Sequence, residues 1–217
     1  MRTLALLPVK SFWQAKQRLR DGLSPDRRRG LAEAMFVDVL TSLRQSELIA
    51  EILVVTAGDT AVEIAHAHGA RVVEDGGRGH NAAAELGIEA ALRLGAERAL
   101  LVPGDCPALD STELDELLAR PVEPPCALVV PDRHGTGTNA LLLTPPGTIA
   151  PSFGPDSCER HVAIARAAGV RVQVAHVPSL ALDVDTPGDL EVLESAIGAD
   201  SGAAPRTREL LSELSAC

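Results

Sequence analysis

What this chain lacks narrows it first. Its four cysteines, at 106, 126, 158 and 217, form no CxxC or other close pair, so neither a zinc ribbon nor a disulfide framework is expected. The six histidines, at 66, 68, 80, 134, 161 and 176, make no HExxH and no cluster; zinc is not expected, and most of them read as surface or loop residues. GxxxxGK[ST], a GxGxxG after a strand and GxSxG are all absent, which removes the P-loop and dinucleotide modes and a serine nucleophile. Cys106 has no evident base beside it and reads as a packing residue. No apolar run approaches the roughly 20 residues that span a bilayer. Lys and Arg are outnumbered by Asp and Glu, for a net charge of -10 and a pI near 5.0, which argues against nucleic acid or an anionic membrane as partner. With no leader pattern before the first apolar run, a reduced, cytoplasmic protein is expected.

What is present suits one α/β domain. At 217 residues the chain can bury a core without staples. Apolar runs at Leu4 to Val9, Ile52 to Val55, Arg71 to Glu74, Arg98 to Val102 and Ala127 to Val130 alternate with helical patterns, as in a mostly parallel sheet covered on both faces. Ser24-Pro25, Thr60 with Glu63, Asp110 with Glu113, and Thr186-Pro187 with Asp189 mark helix starts. After Pro131 the pattern changes. Strands are expected at Asn139 to Thr144, Val170 to Val174 and Leu180 to Val184, in a small insert carrying an antiparallel edge. The domain is expected to run over 1–197, with 198–217 a linker-like tail whose Arg206 to Leu214 stretch either forms a short helix or stays disordered.

The chemistry concentrates just past strand ends, where ligands of such sheets bind. Asp105 follows Leu-Leu-Val-Pro-Gly, and Asp183 and Asp185 follow the run ending Leu-Ala-Leu. Three acids brought by two distant strands to one rim can share a hard divalent cation such as Mg2+, which keeps positions for water and phosphate; the alternative is that each Asp only turns a loop. Lys10, Lys16 and Arg18 leave the first strand with no acid before Asp21, a local anion site on an acidic protein. These features point to a metal-dependent enzyme acting on nucleotide phosphates.

Three further loops carry weaker signals. Gly76-Gly-Arg-Gly-His80-Asn81 precedes a helix and offers amides to a nucleotide, unless Asn81 simply caps that helix. Asp132-Arg-His-Gly-Thr-Gly-Thr138-Asn139 permits close backbone approach to an acidic ligand, or is a plain hairpin loop. Phe153-Gly154-Pro-Asp156-Ser157 leads into a helix, where Asp156 with Glu159 suits a capping box and the amide and hydroxyl of Ser157 are placed to meet an anion.

Taken in order, Pro-Val-Lys10, Ala-Lys16-Gln-Arg18-Leu, Pro-Gly-Asp105-Cys-Pro, the loop ending Thr138-Asn, Phe-Gly154-Pro-Asp-Ser157 and Asp183-Val-Asp185-Thr-Pro resemble the 2-phospholactate and phosphoenolpyruvate guanylyltransferases of deazaflavin coenzyme F-420 biosynthesis, over roughly residues 3 to 195. The resemblance implies a nucleotidyltransferase-like, Rossmann-like fold, GTP as donor, Mg2+ as cofactor, and pyrophosphate release as GMP joins a phosphorylated three-carbon acid. It implies metal-binding roles for Asp105, Asp183 and Asp185, and acceptor contacts from Thr138, Gly154 and Ser157. Lys10, Lys16 and Arg18 match the basic motif assigned to the GTP phosphates, with Lys16, Arg18 and Asp105 in the catalytic group. His80 and Asn81 occupy the segment assigned to the nucleotide. Phosphoenolpyruvate is the expected acceptor, with 2-phospho-L-lactate, 3-phosphoglycerate or a non-catalytic nucleotide-binding module as alternatives. Functional coupling to the downstream transferase of the pathway is left open.

Overall fold

The computed structural model describes residues 1–198 and 202–215. Strands β1 (Thr3–Pro8), β2 (Ile49–Thr56), β3 (Arg71–Glu74), β4 (Arg98–Leu101), β5 (Cys126–Pro131), β6 (Thr138–Thr144) and β7 (Arg171–Val174) form one sheet in the order β3-β2-β1-β4-β6-β5-β7. Around it pack α1 (Pro25–Gln45), α2 (Asp59–Ala67), α3 (His80–Arg93), α4 (Ser111–Leu118), α5 (Ser157–Ala167), α6 (Pro187–Ala196) and α7 (Pro205–Ser215). None of the described helices is long and apolar enough to cross a membrane.

Both faces of the inner strands are covered, which is why β1 and β5 read as continuous apolar runs, whereas the edge strands β3 and β7 are largely exposed. Ala5 and Leu7 of β1 point into a layer with Phe36, Val39 and Leu40 of α1, whereas Leu4 and Leu6 face Ala84, Ile88 and Ala91 of α3. A third cluster joins Leu31 and Met35 of α1 to Leu193 of α6 and Leu211 of α7.

The strand β6 decides where the site lies. It runs antiparallel to both β4 and β5, while the other neighbouring pairs are parallel. The start of β6 therefore lies at the same sheet edge as the ends of β1, β4 and β5, with Thr138 paired to Pro131. An antiparallel element at the margin of an insert was expected; instead β6 is an inner strand, flanked on both sides.

Several local expectations are corrected. Leu180 to Val184 is not a strand: a 3-10 turn covers Pro178–Leu180, and Val184 donates to the Asp105 carbonyl at 3.1 Å. Its alternating Leu180, Leu182 and Val184 are buried, so the apolar run reflects packing without a strand ladder. Helix α2 starts at Asp59 after Gly58, with no side-chain cap, so Thr60 and Glu63 form no capping box. Asp110 and Ser24 cap as expected, and Thr186 with Asp189 completes a capping box.

Of the expected tail, residues 199–201 and 216–217 lie outside the described residues; Pro205–Ser215 takes the helical alternative as α7, docked on α1. Asp38, buried in α1, caps the N-terminus of α7 from outside the helix. Its carboxylate accepts from the Arg206 amide at 3.0 Å, the Thr207 amide at 2.8 Å and the Thr207 hydroxyl at 2.7 Å. Orphan amides at a helix start need such partners. Asp38→Ala is expected to cost about 1–3 kcal/mol, measured as a lower urea midpoint, with amide exchange accelerating first over 205–215.

Candidate active site

The loop after β1 carries two 3-10 turns, Phe12–Gln14 and Gln17–Leu19, and Lys16 enters the second with φ 55° and ψ 39°. A left-handed conformation costs an L-residue roughly 1–2 kcal/mol. What holds it is the end of the side chain, only 6% exposed, whose Nζ donates to Asp105 Oδ2 at 2.5 Å and Asp185 Oδ1 at 3.1 Å. Burial alone pushes this ammonium down, but Asp105 and Asp185 together outweigh it and hold the group well above the usual lysine range. Arg18 adds a looser contact, Nη1 to Asp185 Oδ2 at 3.6 Å.

Each acid arrives by a different device. Asp105 leaves β4 through Pro103 and Gly104, and a Cβ on Gly104 would stand 3.2 Å from the Phe36 ring; the missing side chain lets the loop lie on α1. Asp183 accepts from Asn139 Nδ2 at 3.1 Å, and the same amide group donates to the Leu180 carbonyl at 2.8 Å. Asp189 arranges the turn after Asp185: its Oδ2 accepts from the amides of Asp185 at 3.0 Å and Thr186 at 2.7 Å and from the Thr186 hydroxyl at 2.8 Å. Its Oδ1 takes Arg133 Nη2 at 2.5 Å. Burial would raise the Asp189 pKa, but these donors outweigh it and leave the carboxyl below its ordinary range.

The structure therefore brings Asp105, Asp183 and Asp185 to one rim, though not round one point. Among the described residues no three His, Cys, Asp or Glu side chains are grouped closely enough to hold a cation. The ammonium of Lys16 stands where two of the acids converge. In kind, the donor set fits a hard divalent ion, which prefers carboxylate oxygens. Burial first, and the nearby charge of Asp105 second, raise the Asp183 pKa, and an added cation would relieve that repulsion. Cys106 does not join this chemistry: burial and then Asp105 push its thiol well up, the reverse of an activated nucleophile.

Two cavities meet at these acids. One, of 420 Å3, is lined by Lys10, Phe12, Lys16, His80, Pro103, Asp105 and Asp185. The other, of 490 Å3, is lined by Arg18, Thr138, Gly154, Ser157 and Asp183, and again by His80, Pro103, Asp105 and Asp185. Gly154 has φ 123° and its carbonyl accepts the Ser157 amide at 3.1 Å. That amide, expected to face a ligand, is thus used in the turn, leaving the hydroxyl as the side chain's polar group at the cavity. Asp156 has φ 56° and makes no side-chain cap, so the expected box with Glu159 is absent.

His80 and Asn81 separate in role. His80 is the first residue of α3 and borders both cavities; burial, then Lys10, lower its pKa against Asp105 and Asp75. Asn81 lies within the helix and caps nothing. Its Oδ1 accepts the Phe153 amide at 2.7 Å and its Nδ2 donates to the Phe153 carbonyl at 3.2 Å, so its side chain clamps the loop at Phe153.

Four contributors escaped the sequence reading. Arg133 and Asn139 belong to the 132–139 loop, and Asp189, beyond starting α6, orders the turn at Asp185. His161, one of six scattered histidines most of which read as surface or loop residues, is fully buried. A polar residue on the inner side of a helix following an expected ligand loop was the available signal.

The family described as guanylyl transferase CofC like matches residues 3–214. The chain is 48% identical over 216 residues to the phosphoenolpyruvate guanylyltransferase of Conexibacter woesei, covering 99% of this chain and 97% of that protein. It is 38% identical over 195 residues to the 3-phospho-D-glycerate guanylyltransferase of Colwellia psychrerythraea, covering 89% and 91%. A solved structure from Desulfovibrio desulfuricans, provisionally described as a nucleotide-diphospho-sugar transferase, superposes with a TM-score of 0.76 at 20% identity over 100% of this chain and 96% of that one. That likeness shows the fold, which is nucleotidyltransferase-like as expected.

Burial first, then Arg160, hold the His161 pKa near 4, against 6.5 for a free histidine. Below pH 6.5 the unfolded chain takes up a proton that the folded one refuses, so this group's stabilisation is complete above that pH and declines as pH falls toward 4. The full effect is at most about 3 kcal/mol. Urea midpoints measured from pH 7 to 4.5 are expected to fall, with a shallower slope in His161→Phe.

Proposed function

The chain belongs to the CofC-like guanylyl transferase family, and from that membership we propose that it joins GMP from GTP to phosphoenolpyruvate, releasing pyrophosphate and giving enolpyruvoyl-2-diphospho-5'-guanosine. The observation that carries the proposal is the meeting of two cavities at Asp105, Asp185 and His80, one lined by Lys10 and Lys16 and the other by Thr138, Gly154 and Ser157. Two anionic substrates laid in them would touch at the acids.

In this reading a phosphate oxygen of the acceptor forms a bond to the α-phosphorus of GTP. The bond from that phosphorus to the bridging oxygen breaks, and pyrophosphate leaves with the electron pair. The attacking oxygen is already anionic, so no general base is required, and Cys106, whose thiol burial pushes well up, takes no part. Catalysis is then orientation and charge neutralisation. An ammonium has three N–H donors. In Lys16 Asp105 and Asp185 engage two, and the third serves a phosphate oxygen of GTP. Lys10 and the exposed Arg18 add charge for the leaving pyrophosphate. Thr138, Gly154 and Ser157 hold the acceptor. Asp105, Asp183 and Asp185 would hold Mg2+, which when bound neutralises the oxygens of the two reacting phosphates.

Phosphoenolpyruvate is chosen over the other acids on the similarity to the Conexibacter protein. The product would feed the downstream transferase of coenzyme F-420 biosynthesis. Purified protein with Mg2+ and GTP is expected to release pyrophosphate when phosphoenolpyruvate is added, and mass detection should find the guanylated acid. Release only with 2-phospho-L-lactate or 3-phosphoglycerate would reassign the acceptor, and none with any acid would refute the activity. Asp105→Asn should lower turnover at least about 100-fold while retaining the native circular dichroism spectrum. Near wild-type turnover in that variant would remove Asp105 from the catalytic group.

A further inference from the structure

His161 has no solvent exposure, and each of its ring nitrogens has a partner. Nε2 lies 2.8 Å from the backbone amide of Ser152. A backbone N–H only donates, so Nε2 must present its lone pair, and the proton of the neutral ring sits on Nδ1. Nδ1 is 3.0 Å from Thr138 Oγ1. The ring therefore donates to the Thr138 oxygen, and the hydrogen of that hydroxyl must point to some other acceptor. The ring turned over would set carbon atoms against both groups and leave a buried amide unsatisfied, which is costly.

The Ser152 amide has little freedom to change this assignment. Arg160 donates from Nε to the Ser152 hydroxyl at 3.2 Å and from Nη2 to the Ser152 carbonyl at 3.0 Å. Asn81 grips the amide and carbonyl of the next residue, Phe153, whose ring stands edge-on to both His80 and His161 at 5.1 Å. Proton placement is thus dictated from the loop inward, through the imidazole, to Thr138 at the wall of the second cavity.

We propose that His161 is a positioning residue: by fixing the Thr138 oxygen as an acceptor it makes the Thr138 hydroxyl an obligate hydrogen-bond donor to an anionic oxygen of the phosphorylated acid. This rests on the acceptor role given to Thr138 above. Phosphate and carboxylate oxygens of a fully ionised acid only accept, so a hydroxyl committed to donating is matched to them. A serine or threonine free to rotate would first have to give up other orientations. The same imidazole ties Thr138 to the 152–154 loop, so Thr138 and Gly154 are set together.

Side-chain amides separate the two bonds. The Asn amide of His161→Asn reaches the Nδ1 position and preserves the donor to Thr138. His161→Gln reaches the Nε2 position, keeping an acceptor for Ser152 and losing the Thr138 bond; His161→Phe loses both but keeps a ring against Phe153. In steady-state guanylyl transfer, His161→Gln and His161→Phe are expected to raise KM for phosphoenolpyruvate about tenfold, with KM for GTP unchanged within twofold and His161→Asn closer to wild type. Thr138→Val should have a similar effect, and His161→Gln should add little to it. Nitrogen-15 spectra of the wild-type protein should show the imidazole proton on Nδ1 at neutral pH. A proton on Nε2, additive effects of His161→Gln and Thr138→Val, or an unchanged KM for phosphoenolpyruvate in a folded His161→Gln would each overturn the inference. A wild-type protein that guanylates no acid would instead defeat the function it rests on, and with it this role, whichever nitrogen carries the proton.

Discussion

One buried ammonium organises the catalytic rim. Carboxylates crowded at a sheet edge repel one another, and at Asp183 the charge of Asp105 adds to the effect of burial in raising the pKa. Lys16 is the internal counterion: it reaches Asp105 beyond β4 and Asp185 before α6, drawing together segments 89 and 169 residues away from it in the chain. Desolvating a lysine is unfavourable unless opposite charge is close, so its burial and the placement of the two acids depend on each other. The left-handed backbone at Lys16 is the local cost of that arrangement.

The second constraint is topological. Because β6 alone runs against its neighbours, its first residues open onto the edge where β1 and β4 end. Thr138 and Asn139 therefore share a rim with Asp105 without a long excursion of chain. Arg133 and Asp189 then join the loop before β6 to the turn before α6, and Asn139 joins β6 to Asp183. The side chains that line the proposed acceptor cavity are thereby braced against those that carry the negative charge, which suits a reaction that works by orientation.

Much of this was legible beforehand because it is local. Continuous apolar runs reveal strands buried on both faces, Ser24-Pro25 and Thr186-Pro187 with Asp189 reveal helix starts, and short acid and basic motifs reveal a rim. Local patterns mislead where they have two physical meanings. Leu180 to Val184 alternates like a strand, yet its side chains fill a core while its backbone finds too few partners for a ladder. Asn81 has the chemistry of a cap, but Gly79, with φ 97°, already occupies the turn before α3, and the amide is taken by Phe153. Asp156 cannot cap as expected because its own backbone is left-handed.

The fold class follows from periodicity and composition, and the family resemblance, with the acids and cations it assigns to the rim, from short motifs in a set order; all of these are written by neighbouring residues. The pairings emerge on folding: Lys16 with two acids, Arg133 with Asp189, Asp38 with α7, and His161 between Ser152 and Thr138. Each joins groups distant in sequence through hydrogen bonds whose direction is set by which neighbour can only donate or only accept. A one-dimensional pattern contains neither distance nor burial, so it could name His161 as a histidine but not say which nitrogen holds the proton.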